Sequence, residues 1–211
     1  MIDSHSLRNC RAAWAGAPPA RRGLRRLAHC LRPGLLFALL LAGLVAACWA
    51  QSAAEALEYR IKAAFVCKFA SYVEWPQQVF AHPDSPIVIG VISTDAVADE
   101  LTRTAAGLSA EGRPLVVRRL HRGDPIAGAH LIYVAGSEDA HLAETLAAVK
   151  GLPVLVVTES KHAVALGSMI NFVLVDDKVR FDISPRAAEM SRLRISARLL
   201  AVARSLIART S

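Results

Sequence analysis

Cysteine is scarce in this chain of 211 residues, and most of it lies near one end. Three of the four cysteines fall within the first 50 residues, so Cys67 alone lies in the remainder. One cysteine cannot form an internal disulfide, which excludes a domain held together by disulfides. Cys67 lies in an apolar pattern of helical spacing, and this setting favours a buried side chain over a reactive thiol.

Long hydrophobic runs are also lacking. The apolar run from Leu35 to Ala47 has 13 residues, whereas a helix needs about 20 to cross the hydrocarbon core of a membrane. A basic stretch precedes this run and small residues follow it, which is the arrangement of a secretory signal. We therefore expect residues 1–50 to be a leader and residues 51–211 to form one domain exported to the periplasm. A retained membrane anchor is the alternative interpretation.

Two processing sites fit the end of this leader. The segment "LVAAC" resembles a lipobox, in which cleavage would leave an acylated Cys48 that attaches the protein to the membrane. Cleavage after Ala50 would instead release a protein without a lipid. The residues alone leave both alternatives open.

Acidic residues are nearly absent from the leader, and this explains the basic character of the whole chain. The first 50 residues carry seven arginines and one aspartate, which gives +6 of the total charge of +7. The remaining residues carry 18 basic and 17 acidic side chains, which gives +1. The exported part therefore lacks the basic surface of a nucleic-acid-binding protein, and we expect no nucleic-acid partner.

Recognisable catalytic motifs are missing as well. There is no nucleophile elbow and no phosphate-binding glycine loop. Two pairs place a carboxylate and an imidazole three residues apart, His141 with Glu144 and Glu159 with His162. A di-iron centre repeats such pairs on facing helices and adds two more glutamates, so solvated polar faces are the better interpretation. We expect no metal, no cofactor and no enzymatic activity.

The apolar residues that are present alternate between strand-like and helix-like patterns. Short runs rich in β-branched residues, typical of buried strands, are "PIVIGVI", "RPLVVRRL", "HLIYVAG" and "LPVLVVTES". Helical patterns of about ten residues lie between several of them, which predicts an α/β domain with a largely parallel sheet and helices on both faces. The exported domain opens with a helical stripe that includes Leu57, Ile61 and Phe65. Glu58 and Lys62 form an i,i+4 pair on its predicted solvent face, and Pro76 ends it.

Residues 167–184, "GSMINFVLVDDKVRFDIS", predict an antiparallel hairpin. Asp176 and Asp177 are its turn, because aspartate tolerates the positive φ that tight hairpin turns need. The register then pairs apolar residues on one face. These pairs are Leu174 with Val179, Phe172 with Phe181, and Ile170 with Ile183. Two carboxylates at a solvated tip have nothing to separate their pKa values, so they form a bend and not an acid/base pair.

The other face of the hairpin is the predicted partner-binding surface. Asn171, Arg180 and Asp182 surround Val173 there, and this mixture of apolar and charged groups around an arginine is typical of an interface hot spot. Two alternatives are that a helix covers this face, or that Asn171 and Asp182 bond to each other. The closing segment predicts a helix with an apolar stripe from Leu199 to Ile207, which is the next candidate for an interface.

Three segments together resemble the YfiR family in sequence, order and spacing. They are "KAAFVCKFASYVEWP", "GSMINFVLVDDKVRFDIS" and "ISARLLAVAR", and the resemblance covers about residues 55–208. It implies a small periplasmic α/β protein that represses a membrane-bound diguanylate cyclase by contact with its periplasmic sensor region. Lower cyclic di-GMP and less biofilm would follow, and a homodimer is among the expected assemblies.

The resemblance also bears on the alternatives. It favours a soluble protein, with membrane attachment only if Cys48 is lipidated. Two positions depart from the pattern, because Ser168 stands where the family often has a second glycine and Asp177 where it often has glycine.

A periplasmic small-ligand-binding protein is the alternative function, since open α/β sheets bind ligands at the carboxyl ends of their strands.

Overall fold

A long helix opens the part of the chain that the computed structural model describes, which is residues 52–121 and 123–207. This helix, α1, covers residues 52–69 and so ends well before Pro76. The expected leader, Cys48 and both predicted processing sites lie outside the described residues. In the part of the chain that is described, no helix is both long enough and apolar enough to span a membrane.

One sheet organises the described residues. Its strands are β2 (Ile87–Ile92), β3 (Ser109–Ala110), β4 (Arg113–Arg119), β5 (Leu131–Val134), β6 (Leu155–Thr158), β7 (Ile170–Val175), β8 (Lys178–Ile183) and β10 (Ser205–Leu206). Across the sheet they lie in the order β10-β8-β7-β6-β5-β2-β4-β3. The five strands from β7 to β4 are mutually parallel, and β8 is antiparallel to β7. The predicted α/β fold is confirmed.

Short elements connect and flank this sheet. The helices after α1 are α2 (Asp95–Ala105), α3 (Leu142–Ala148), α4 (Ala163–Leu166), α5 (Pro185–Met190) and α6 (Ala197–Val202). Two 3-10 turns cover Gln77–Val79 and Gly136–His141. A separate antiparallel pair joins β1 (Val73–Glu74) to β9 (Arg194–Ile195), which ties the end of α1 to the segment between α5 and α6.

Helices cover both faces of the sheet, because successive residues of a strand point to opposite faces. Ile89 and Val91 of β2 belong to the larger core, which contains the buried residues of α1 and α2. Ile132 and Val134 of β5 belong to a second core, which contains Leu142 and Leu146 of α3. Strands buried on both faces explain the unbroken apolar runs that predicted them.

The hairpin of β7 and β8 has the predicted register at all six residue pairs. Asp176 and Asp177 have φ values of 49° and 56°, so both turn residues occupy the left-handed region that a type I′ turn requires. Its apolar face packs against α1 through aromatic rings. The centroid of Phe69 lies 5.7 Å from that of Phe172 and 5.0 Å from that of Phe181. Such edge and offset contacts fix the hairpin against the helix.

Two predictions about helical stripes were wrong. Leu57 and Ile61 of α1 are 55% and 37% exposed, whereas Lys62, expected on the solvent face, is buried. The closing helix ends at Val202, and Leu206 lies in an edge strand parallel to β8. The backbone N–H of Arg204 donates to the carbonyl of Phe181 at 2.9 Å, so pairing with the sheet replaces the final turns of the expected helix.

Candidate functional site

The outer half of the hairpin carries the exposed side chains of the predicted site. Arg180 and Lys178 are exposed on β8, and Val173 beside them is partly buried. Leu174 is 57% exposed and Val175 is 36% exposed. We refer to Val173, Val175, Lys178 and Arg180, which share one face of the strand pair, as the hairpin surface, whereas Leu174 lies on the other face with Val179. The hairpin surface presents apolar groups and two cations on a strand pair whose inner half is packed on α1.

Asn171, one of the predicted partner-binding residues, is buried and has bonds within the protein. Its Oδ1 accepts a hydrogen bond from Oγ1 of Thr158 at 2.7 Å and another from the backbone N–H of Ser160 at 3.1 Å. Thr158 lies directly opposite Asn171 in the parallel pairing of β6 and β7. The hydroxyl of Ser168 also lies 2.8 Å from Oγ1 of Thr158. This polar cluster holds the segment between β6 and β7 against the sheet.

Asp182, the second predicted partner-binding residue, is also buried, and its side chain binds Arg204 in the segment before β10. Its carboxylate accepts hydrogen bonds from Nε of Arg204 at 2.8 Å and from Nη2 of Arg204 at 2.5 Å. The hydrogen bonds and the negative charge of Asp182 raise the pKa of Arg204 above its usual range. Asp182 and Asn171 are therefore bonded to other residues, and Arg180 is the member of the predicted trio that is exposed.

A buried lysine tied to two glutamates was not predicted as part of this region. Nζ of Lys62 lies 2.7 Å from Oε2 of Glu159 and 2.5 Å from Oε1 of Glu58. The hydroxyl of Tyr133 donates to the other oxygen of Glu159. Burial acts to lower the pKa of Lys62, but the hydrogen bonds and charges of Glu159 and Glu58 outweigh it and raise the pKa above 10.5. Lys62 is a charged anchor between α1 and the carboxyl end of β6.

The sequence contains a signal for this buried lysine. Lys62 is four residues before Val66 and seven before Phe69, which are the spacings of one helical face, and both are fully buried. Glu159 follows the last residue of β6, which is where polar groups of a parallel sheet collect. The Glu159–His162 pair considered as a metal half-site thus supplies its carboxylate to Lys62. Within the described residues, no group of three or more potential metal ligands occurs.

A cleft of about 380 Å³ adjoins this anchor and the hairpin. Its lining comprises Glu58, Lys62, Glu159, Ser160, Lys161 and residues 171–174. The cleft lies beside the carboxyl end of β6, the edge at which open α/β sheets bind ligands. Its cations and carboxylates are equal in number, so it offers little net charge to an ionic ligand.

Cys67 is buried against the core, as its position in the helical pattern predicted. Burial raises the pKa of its thiol to about 11, so the thiolate needed for redox or nucleophilic chemistry is nearly absent at neutral pH.

This geometry defines a doubly wound α/β domain whose described exposed features include a hairpin and clefts. Residues 59–204 match the model of the family DUF4154, described as YfiR/HmsC-like. The match covers more than half of the chain, so the chain belongs to the YfiR/HmsC-like family. It is a family of periplasmic regulators associated with diguanylate cyclase signalling.

A comparison with solved structures found a similar chain, a conserved domain protein from Vibrio cholerae O1 biovar El Tor strain N16961. The two chains are 16% identical, with a TM-score of 0.45 over 57% of this chain and 55% of that one. This chain thus matches about half the length of the Vibrio chain, and the family assignment rests on the sequence match alone. A comparison with curated proteins gave no match.

Proposed function

We propose that this protein is a periplasmic repressor that binds the sensor region of an inner-membrane diguanylate cyclase through the hairpin surface. Binding lowers cyclic di-GMP and biofilm formation. Family membership supports the class of regulator, and the exposure of Val175 on the same face as Arg180 and Lys178 supports the place of contact. Val175 and the partly buried Val173 lie on the face of Arg180, and aliphatic side chains beside an arginine are suited to burial against a partner.

The rigid base of the hairpin supports the same proposal. Phe172 and Phe181 are packed on α1, while Asn171 and Asp182 bond to the segments on either side. A surface that is already ordered loses little conformational entropy on binding, so more of the contact energy contributes to affinity. In this proposal Arg180 contacts the cyclase, whereas Asn171 and Asp182 position the hairpin.

The test replaces Arg180 with glutamate and measures cyclic di-GMP in cells that contain the cognate cyclase. Arg198→Glu is the matched control, because Arg198 is an exposed arginine on α6 that makes the same change of charge. We expect Arg180→Glu to raise cyclic di-GMP to the level of a deletion with an unchanged thermal melt, and the control to repress normally. Normal repression by both Arg180→Glu and Val175→Asp would exclude the hairpin surface as the interface.

The form of the mature protein is part of the proposal. We expect cleavage after Ala50 and a soluble periplasmic protein, with a homodimer as its proposed assembly. The intact mass of the mature chain distinguishes this site from a lipid-modified Cys48, since acylation adds the mass of its fatty acyl chains. Analytical ultracentrifugation measures the assembly, and a monomer at micromolar concentration would contradict the homodimer.

A further inference from the structure

A groove lies between α3, α4 and α5. It has a volume of about 420 Å³. Its floor is formed by Val156 of β6 and by Met169, the residue before β7. The larger apolar side chains that line it are Leu146, Val149, Val156, Val164, Leu166, Met169 and Met190. Ligand sites in proteins are typically apolar clefts of about 300–1,000 Å³ with a few polar groups, so both the size and the lining fit a small molecule.

The edges of this groove keep apolar groups in contact with solvent. Leu166 of α4 is 46% exposed, and Met190 of α5 is 66% exposed. The three helices are short, and Val156 and Met169, which line the groove between them, are already buried by the protein. A ligand that covered Leu166 and Met190 would remove apolar surface from water, which is favourable in proportion to the area buried.

The charge of the groove specifies the ligand further. Lys150 and Arg186 line it, and no aspartate or glutamate is among its described lining residues. Neither cation forms a salt bridge with a described residue. Arg204, in contrast, is neutralised by Asp182. An apolar groove with two unpaired cations is complementary to an apolar molecule that carries a negative charge.

We propose that this groove binds a small amphiphilic carboxylate, with its apolar body on Leu166 and Met190 and its carboxylate at Arg186 and Lys150. At about 30 Å³ for each water-sized group, the volume accommodates roughly a dozen heavy atoms. A carboxylic acid with a straight chain of about ten carbons has this size. Arginine can hold a carboxylate with two parallel hydrogen bonds, which gives the site its preference for this head group.

The proposal does not depend on how the protein acts on a cyclase, because the groove shares no residue with the hairpin surface. The experiment titrates the purified mature protein with sodium decanoate, below the concentration at which it forms micelles, and measures the heat of binding. Decanol is the control ligand, since it has the same apolar body without a charge. We expect one decanoate to bind per chain, and decanol to bind about ten- to a hundredfold more weakly.

Two variants and a matched control locate the site. Arg186 and Arg198 are both exposed and are both the second residue of a six-residue helix, so Arg186→Glu and Arg198→Glu make the same change in the same setting. We expect Arg186→Glu to weaken decanoate binding about tenfold or more and Arg198→Glu to leave it unchanged. Ala147→Trp places a large side chain from the exposed surface of α3 into the groove, and we expect it to abolish binding with an unchanged melt.

Several results would overturn the proposal. They are the lack of saturable decanoate binding, equal affinities for decanoate and decanol, equal affinities of Arg186→Glu and Arg198→Glu, and an Ala147→Trp variant that binds as the native chain does.

Discussion

Asn171 and Asp182 are direct cross-strand neighbours in the hairpin, and each side chain bonds to a different part of the chain. Asn171 accepts hydrogen bonds from Thr158 and Ser160, while Asp182 binds the guanidinium of Arg204. The base of the hairpin is thereby connected to β6 on one side and to the segment before β10 on the other. This arrangement separates the residues that stabilise the hairpin from those that can contact a partner.

The first prediction concerns Asn171. Replacement by alanine leaves the buried backbone N–H of Ser160 without its acceptor and removes the 2.7 Å hydrogen bond from the hydroxyl of Thr158. We expect Asn171→Ala to lower the free energy of unfolding by about 2–3 kcal/mol. Arg180→Glu, on the exposed side of the same hairpin, should change it by no more than about 0.5 kcal/mol. Urea denaturation measures both, and equal losses would contradict this division of roles.

The second prediction concerns the buried lysine. Lys62→Met removes the charge that neutralises Glu159, so we expect the free energy of unfolding to fall by about 3 kcal/mol. Glu159→Gln in the same chain removes the unpaired charge and keeps an acceptor for Tyr133. The double variant should therefore recover most of the loss, which a double-mutant cycle by urea denaturation measures. Additive losses would show that Lys62 and Glu159 are not coupled.

The third prediction is a pH dependence from His130. Its Nδ1 accepts a hydrogen bond from the backbone N–H of Val88 at 3.1 Å. Burial lowers the pKa of His130 below its ordinary value of 6.5. A hydrogen bond to the backbone of Val79 acts to raise this pKa, and the charge of Arg113 acts to lower it. Below about pH 6.5 the unfolded chain binds a proton that the folded chain resists, so this contribution to stability is full above that pH and declines as the pH falls.

The measurement for His130 compares the free energy of unfolding at pH 7.5 and at pH 5.0. His130→Gln keeps an acceptor for Val88 but does not titrate, so it should lose less stability between the two values than the native chain does. It will be less stable than the native chain at both, because it lacks the stacking of His130 on Phe80, whose centroids lie 4.7 Å apart. An identical loss in the two proteins would remove His130 as the cause.

The fourth prediction uses the hairpin turn. Asp177 has a φ of 56°, a conformation that costs residues with a side chain more than it costs glycine. The turn between β3 and β4 has the same positive φ at both residues and places Gly112 second. We expect Asp177→Gly to raise the free energy of unfolding by about 0.5–1 kcal/mol, measured by thermal melting. Asp177→Asn removes the same charge without adding glycine, and an equal gain there would identify charge repulsion as the cause.

The hairpin shows how much of this protein could be predicted from local sequence. Val179, Phe181 and Ile183 alternate with charged residues, and the two aspartates stand between the strands. This pattern determines one register, in which these three residues pair with Leu174, Phe172 and Ile170 on one face. A shift by one residue would expose that face, so the pattern excludes other pairings. The β-branched runs of the central strands and the family motifs are equally local, and the α/β fold follows from them.

Tertiary structure decided the features that depend on segments far apart in the chain. Lys62 is buried only because the fold brings Glu159 to it, and these residues are 97 positions apart. Arg204 meets Asp182 only when the last segment joins the edge of the sheet, and that pairing ends α6 at Val202. Helical periodicity predicts which residues share a face of a helix, but it does not predict what packs against that face. Whether a charged residue such as Lys62 can be buried there depends on the partner that the fold supplies. The groove beside Arg186 also depends on tertiary structure, because its lining comes from three short helices that lie apart in the sequence.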